Sequence, residues 1–304
     1  MRTLRTLAGL RLLLVLAWAL CAAVPVQAII VTPTQNATVL ANALLGGGTG
    51  VVVTSVTLSG HTQESFETPG SFETSSGTYT NTSGTYGVGA GVVLSTGAVE
   101  NYADGSNAAD DTSTVFYTLQ PFAYGIPATL AQEALLDPIT TVGNESFDHF
   151  DVTELVIDFN MQPGFSDVRF NVVFGSEEYP EYAEVGYFDG FGMFLNGVNV
   201  AFVASQPVSI THPDMAAVAG TELDGVLAPG GNPLLVFGGA VNPTGNRLRF
   251  IIGDRDDPIL DSTVYISGLR AVPEPGSTAM LAAAGALGLL ARIRRGTRAN
   301  PLRI

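Results

Sequence analysis

The chain has no lysine, and its single cysteine, Cys21, stands close to the N-terminus. Past that point it can form no disulfide and offer no thiolate, which excludes a stapled framework and cysteine chemistry. A body this long builds a sufficient core without staples. Histidine is scarce as well. His61, His149 and His212 are scattered without metal-type spacing and read as surface or turn residues. No Gly-x-Ser-x-Gly elbow occurs. The glycine stretches at 46–50 and 87–92 lack the strand, glycine loop and helix setting of a nucleotide site and read as turns or close strand approaches. Cations are nearly absent from the middle: residues 29–270 carry 5 Arg against 27 Asp and Glu, a net charge of −22. Such a body is repelled by nucleic acid and by anionic lipid. It suits a soluble extracellular protein, or one that gathers cations.

The positive charge sits at the ends. Arg2, Arg5 and Arg11 precede and enter an apolar core at 12–23, and Val26 and Ala28 hold the −3 and −1 positions. This is the pattern of a secretory signal helix over 1–28, cleaved after Ala28 with loss of Cys21.

Strand signals dominate the middle. Leu155, Ile157, Phe159 and Met161 alternate with more polar neighbours, as do Val168, Phe170, Val172 and Phe174, then Leu248, Phe250 and Ile252, then Val264 and Ile266. Period-two alternation predicts strands with one face buried and one wet. Asn196-Gly197 between two apolar runs predicts a type I′ hairpin. Two short helices are expected, one over 35–45 stopped by glycine and one over 127–138 ended by Pro138. From 59 to 91 a Ser/Thr/Gly-rich stretch, with Tyr79, Tyr86 and Val88 as apolar anchors, reads as long loops and flat polar strands. The fold class expected is all-β, a two-sheet antiparallel β-sandwich, jelly-roll-like, over 29–270.

After a Pro/Gly/Ser linker at 271–276, Glu274 and Arg292 bracket 17 uncharged residues. As a helix over 277–291 these reach about 25 Å, against the ~30 Å of a bilayer core. The basic tail over 292–304 orients its own side toward the cytoplasm. Pro273-Glu274-Pro275, the apolar helix, and the cluster of Arg292, Arg294 and Arg295 together resemble the PEP-CTERM sorting signal of Gram-negative bacteria. The resemblance implies export, transient residence in the inner membrane, processing by an exosortase-type enzyme, and delivery to the cell surface or extracellular polysaccharide matrix.

The segments "FGSEEYPEY" at 174–182, "FDGFGMFLNG" at 188–197, "ELDG" at 222–225 and "FIIGDRDDPILDSTVYI" at 250–266 resemble, in that order, the choice-of-anchor L domain. "LLGGGTGVVVTSVTLSG" and "GAGVVLSTG" are similar to its N-terminal half. Gly190, Gly253 and Val226 depart from the residues usual there, Val, Ala and an aromatic. The resemblance implies a fold and a location rather than a chemistry.

Clustered carboxylates repel one another unless something positive neutralises them. Asp254, Asp256, Asp257 and Asp261 crowd one turn, and Glu177, Glu178 and Glu181 another. Calcium takes six to eight oxygens from such loops, so the four aspartates are a candidate calcium site, although Pro258 breaks any EF-hand spacing. Two plainer readings stand beside it: Arg255 or Arg247 pairs with the aspartates, or Asp261 caps a turn. Tyr179, Tyr182 and Tyr187 near the glutamates are placed either to stack on sugar rings or to plug the end of the sandwich. Glu177, Glu178, Tyr179, Glu181 and Tyr182 thus form a possible ligand loop. No residue is assigned a catalytic role. The function expected is a non-enzymatic binding or adhesion component. The alternative is an extracellular glycan hydrolase using two of the many carboxylates.

Overall fold

A computed structural model describes residues 29–46, 50–65, 69–102, 124–141, 148–183, 188–218 and 223–274. The expected signal helix (1–28) and the sorting helix with its arginines (277–304) lie outside the described residues, as do Pro275 and Tyr187.

Seventeen strands and two α-helices occupy the described residues. The strands are β1 (Ile29–Pro33), β2 (Val51–Ser59), β3 (Thr62–Glu64), β4 (Phe72–Thr74), β5 (Ser76–Asn81), β6 (Gly91–Ser95), β7 (His149–Met161), β8 (Phe165–Ser176) and β9 (Gly190–Leu195). They continue as β10 (Val198–Asn199), β11 (Phe202–Val203), β12 (Gln206–Ser209), β13 (Met215–Ala217), β14 (Gly225–Leu227), β15 (Leu235–Ala240), β16 (Asn246–Arg255) and β17 (Ser262–Pro273). The first sheet runs β1-β5-β6-β17-β8-β14-β13, with β15 also on β8; the second runs β11-β12-β9-β16-β7-β2, with β10 on β9. All strand pairings are antiparallel. The all-β, two-sheet expectation holds.

The alternating residues point where the sequence put them. Leu155, Ile157 and Phe159 of β7, Phe170 and Phe174 of β8, and Leu248, Phe250 and Ile252 of β16 interdigitate in the main core between the sheets. Phe170 meets Phe250 edge-on across that interface at 5.5 Å between centroids, a favoured aromatic geometry. Helix α1 (Ala37–Leu45) closes one side. Asn36 caps it by accepting from the amides of Thr38 and Val39, and Gly46, at φ 53°, ends it because a left-handed residue there carries no Cβ penalty. Its Leu40, Ala41 and Leu44 join the main core. The Asn196-Gly197 hairpin forms as expected, joining β9 to β10 with both residues at positive φ.

Two expectations are corrected. The first sheet has no wet face at its centre: Val93, Val173 and Tyr265 point away from the main core into a second cluster with Tyr79, Val99 and Tyr102. The 3₁₀ turn at Val99–Tyr102 covers that face, and the Tyr265 hydroxyl donates to the Tyr102 carbonyl. Likewise helix α2 (Leu130–Thr140) does not stop at Pro138. Thr129 and Gln132 cap it reciprocally. It continues past the proline because Ile139 and Thr140 are buried and Thr140 Oγ1 donates back to the Leu136 carbonyl.

Helix α2 lies on the outer face of the second sheet, where Leu136 packs with Val152 and Ile251. Its floor includes Gly190 and Gly253. A Cβ on Gly253 would come 2.7 Å from Leu136 Cδ1, and one on Gly190 2.8 Å from the methyls of Ile139 and Thr140. Both approaches are closer than carbon atoms tolerate, so the bare backbone is what lets the helix down onto the strands.

Finally, β17 runs on through Ala271, Val272 and Pro273, paired with Val168, Asp167 and Phe165 of β8. The segment expected as linker therefore begins inside the sheet.

Candidate functional site

Two chain crossings bridge the sheets at the same end of the sandwich. Residues 177–189 pass from β8 to β9, and residues 256–261 from β16 to β17. Each begins and ends in acid, and the strand ends deliver five carboxylates inward: Glu177, Glu178, Asp189, Asp254 and Asp261, none more than 3 % exposed.

Their partners are unequal. Asp189 is well held, its Oδ1 accepting from the Arg255 amide at 3.1 Å and its Oδ2 from the Ser262 hydroxyl at 2.8 Å. Asp261 Oδ2 accepts from the Tyr102 hydroxyl at 3.2 Å, and the Asp261 carbonyl accepts from the Glu177 amide. Asp254 is the exception. Both its oxygens are buried and neither accepts a hydrogen bond. The Thr96 hydroxyl lies close enough to ease its charge but closes no hydrogen bond with it; that oxygen instead accepts from the Ser262 amide. Glu178 Oε2 is buried without a hydrogen bond too.

The electrostatics follow. Burial, then the neighbouring carboxylates Asp189, Asp151 and Asp261, push the Asp254 carboxyl well above the usual range. Burial, then Asp189, Asp257 and Asp261, do the same to Glu178. Asp189 is raised to about 7, burial outweighing its contacts with the Asp254 carboxyl, the Ser262 hydroxyl and the Arg255 amide. Asp151, on the adjoining β7, is raised to about 6 by burial even though the amides of Ile126 and Gly125 donate to it. Desolvation disfavours a charged carboxylate unless an opposite charge compensates. Ion pairs to arginine stand at Arg247–Asp158 and Arg249–Glu154. The Arg255 guanidinium lies over the Phe188 ring, 4.7 Å from its centroid.

The four aspartates read as one set are thus divided. Asp254 and Asp261 enter this nest, whereas Asp256 is exposed at φ 80° and Asp257 is half-buried, its Oδ1 accepting from the Ile259 amide. The glutamate loop is divided in the same way. Glu177 and Glu178 point inward. The Tyr179 hydroxyl donates to the Met215 carbonyl and its ring lies against Gly225, so it is a packing residue. Glu181 and Tyr182 remain on the outside. Asp189, Asp151, Thr96 and Tyr102 were not singled out from sequence; only Asp189 carried a signal, standing in the "FDGF" segment.

The histidines are not surface residues. His149 and His212 are buried, and His61 is largely so, which lowers its pKa. Among the described residues, three ligand-type atoms within 4.8 Å of one another occur at Glu133, Asp137 and His149.

Among the described residues no helix is long and apolar enough to cross a membrane. No curated protein and no solved structure matches the chain. The PEP-CTERM protein-sorting motif matches residues 271–295, which makes this an exported bacterial protein whose sorting is membrane-associated and carried out by an exosortase-type system. A second match, to the choice-of-anchor L domain, covers residues 29–222. It stops before β16 and β17, the strands at the centre of the two sheets. Spanning more than half of the sequence, that match identifies the chain as a member of the choice-of-anchor L domain family.

Proposed function

We propose that this exosortase-sorted protein ends at the cell surface or in the polysaccharide matrix of a Gram-negative bacterium. There it works by binding rather than by catalysis, its body stabilised by calcium in the nest. The observation that carries the calcium reading is Asp254, a carboxylate whose two oxygens are buried and accept no hydrogen bond, facing other buried acids at the junction of both sheets. A buried charge is kept only when it is paired or bound to a metal. Glu178, Asp189, Asp254 and Asp261 would hold the ion, and its charge would let them ionise together.

The same burial argues against the hydrolase alternative. A glycosidase needs two carboxyl groups flanking a sugar in an open groove, and Asp189 and Asp254 are sealed. Glu181 and Tyr182, exposed on the crossing that the ion would brace, are our candidates to meet a polysaccharide. Two measurements test the reading. Thermal unfolding of the purified protein is expected at clearly higher temperature in millimolar calcium than in chelator; equal midpoints remove the ion. Retention on the producing bacterium's matrix polysaccharide is expected to fall in Tyr182→Ala; no retention of the calcium-loaded protein removes the binding role.

A further inference from the structure

Toward the end of the first sheet away from the nest, two of the five arginines in residues 29–270 stand directly opposite each other. Arg169 of β8 and Arg270 of β17 are partners across the antiparallel pair, and both are exposed. Like charges placed opposite weaken a sheet. The same span holds 27 acidic residues, enough to give every arginine a partner. Among the described residues neither of these two guanidiniums forms an ion pair, whereas Arg247 and Arg249 both do.

A bulge in β17 brings the two together. Gly268 and Leu269 both face Phe170, and the ladder resumes with Arg270 against Arg169. Gly268 sits at φ 64°, a conformation that a side chain would strain. The extra residue keeps Leu269 in the main core and turns Arg270 to the outer face. Arg169 points the same way, because its neighbours Val168 and Phe170 fill the core. Re-aiming a side chain is what bulges do.

On its other flank Arg169 is paired with Gly238 of β15, which projects nothing over it. Arg169 there lines a trough of about 180 Å³ with Asp167, Val236 and the Gly238-Gly239 step. Asp167 Oδ2 accepts from the Ser166 hydroxyl at 2.7 Å, and the carboxylate has lone pairs left for another donor. Guanidinium forks match the two oxygens of a carboxylate. Asp167 accepts only, so it repels a bare anion but receives a hydroxyl. A molecule bearing both a carboxylate and hydroxyls satisfies the whole set, as a uronic acid does. An anionic lipid surface does not, being opposed by Asp167 and by the net charge of −22 over residues 29–270.

We infer that Arg169 and Arg270, with Asp167 beside them, form a subsite for an acidic sugar whose carboxylate lies between the two guanidiniums. The inference rests on the proposed polysaccharide-binding role and gives that polysaccharide its chemistry, a polymer containing uronic acid.

The test uses the purified full chain in neutral detergent, titrated with sodium glucuronate, with glucose and with sodium phosphate, and followed by the arginine Nε–H signals in NMR spectra. The signals of Arg169 and Arg270, assigned by their absence in Arg169→Gln and Arg270→Gln, are expected to move saturably with glucuronate. Glucose should move neither, and phosphate should bind at least tenfold more weakly. Each variant should weaken glucuronate binding at least about tenfold, through loss of charge-assisted hydrogen bonds. Arg270→Gln should melt no lower than wild type, since it removes a like-charge pair. Still signals, equal movement with glucose, tighter binding of phosphate, or binding that persists in both variants overturns the inference. Tyr182→Ala should leave glucuronate binding intact. Matrix retention that does not need Arg169 or Arg270 therefore counts against this subsite alone, and glucuronate binding without matrix retention counts against the proposed function alone.

Discussion

Strands β7 and β16 solve one problem twice. Toward one end of their pairing, Asp158 lies opposite Arg247, and the guanidinium grips the carboxylate through Nε and an Nη at 2.7 and 3.0 Å. Glu154 and Arg249 form a second ion pair beside them. Arg247 holds the Asp158 carboxyl below its ordinary pKa. At the other end of the same two strands, Asp151 and Asp254 are buried, and their carboxyls are pushed up. Residue type is constant; what changes is access to water. Where the pair is wet, a protein arginine suffices. Where it is dry, the chain supplies acid after acid and leaves Asp254 without a donor. Under the calcium proposal, the charge that balances the dry end comes from outside the chain.

The contrast is broken most forcibly at Asp254. At calcium a hundredfold over its dissociation constant, the ion should stabilise the wild type by about 2.7 kcal/mol, and Asp254→Asn should abolish that gain in denaturant titrations with and without chelator. If instead the variant is more stable than wild type in chelator and calcium moves neither, the acids are simply protonated and the comparison fails. A second break uses pH. Without calcium the folded protein keeps protons on Asp151 and Asp189 that the unfolded chain releases from about pH 4 upward. Stability in chelator should therefore fall as pH rises from there through about 6 and about 7, where those groups titrate in the fold. Millimolar calcium should flatten or reverse that fall, and urea midpoints across the range would show it.

Smaller effects sharpen the picture. Gly253→Ala places a methyl 2.7 Å from Leu136 Cδ1 and should cost about 1–3 kcal/mol by overpacking, loosening α2 while sparing the calcium response. Unchanged stability would show that the helix can ride up freely. At the wet end, Arg247 is more than half exposed, so Arg247→Ala should cost no more than about 1 kcal/mol, less in high salt. A larger loss there would erase the distinction between the two ends.

Period-two alternation made the core legible residue by residue, because a half-buried strand must bury every second side chain. It misread β17, whose Tyr265 points off the main core yet is covered by the turn holding Tyr102. Alternation reports one interface and cannot announce a second layer supplied by distant residues. The proline rule failed at Pro138 for a related reason, since burial of Ile139 and Thr140 carries α2 one step further than local geometry favours. The acidic turns were visible as composition. The set that converges was not, because Glu178, Asp189 and Asp254 leave different strands and meet only through the crossings between sheets. His149 was hidden by the polar residues around it. The Thr129–Gln132 capping pair could have fixed the phase of α2 and shown Glu133 and Asp137 sharing a face.

The end of β17 bears on how the protein is released. Pro273 is still paired with Phe165, and the Glu274 amide donates to the Gly164 carbonyl at 2.9 Å. Two residues of the Pro-Glu-Pro tripeptide in the sorting motif are thus stitched to the folded body. Any enzyme that takes this tripeptide unpaired meets it only when the last few hydrogen bonds of β17 open.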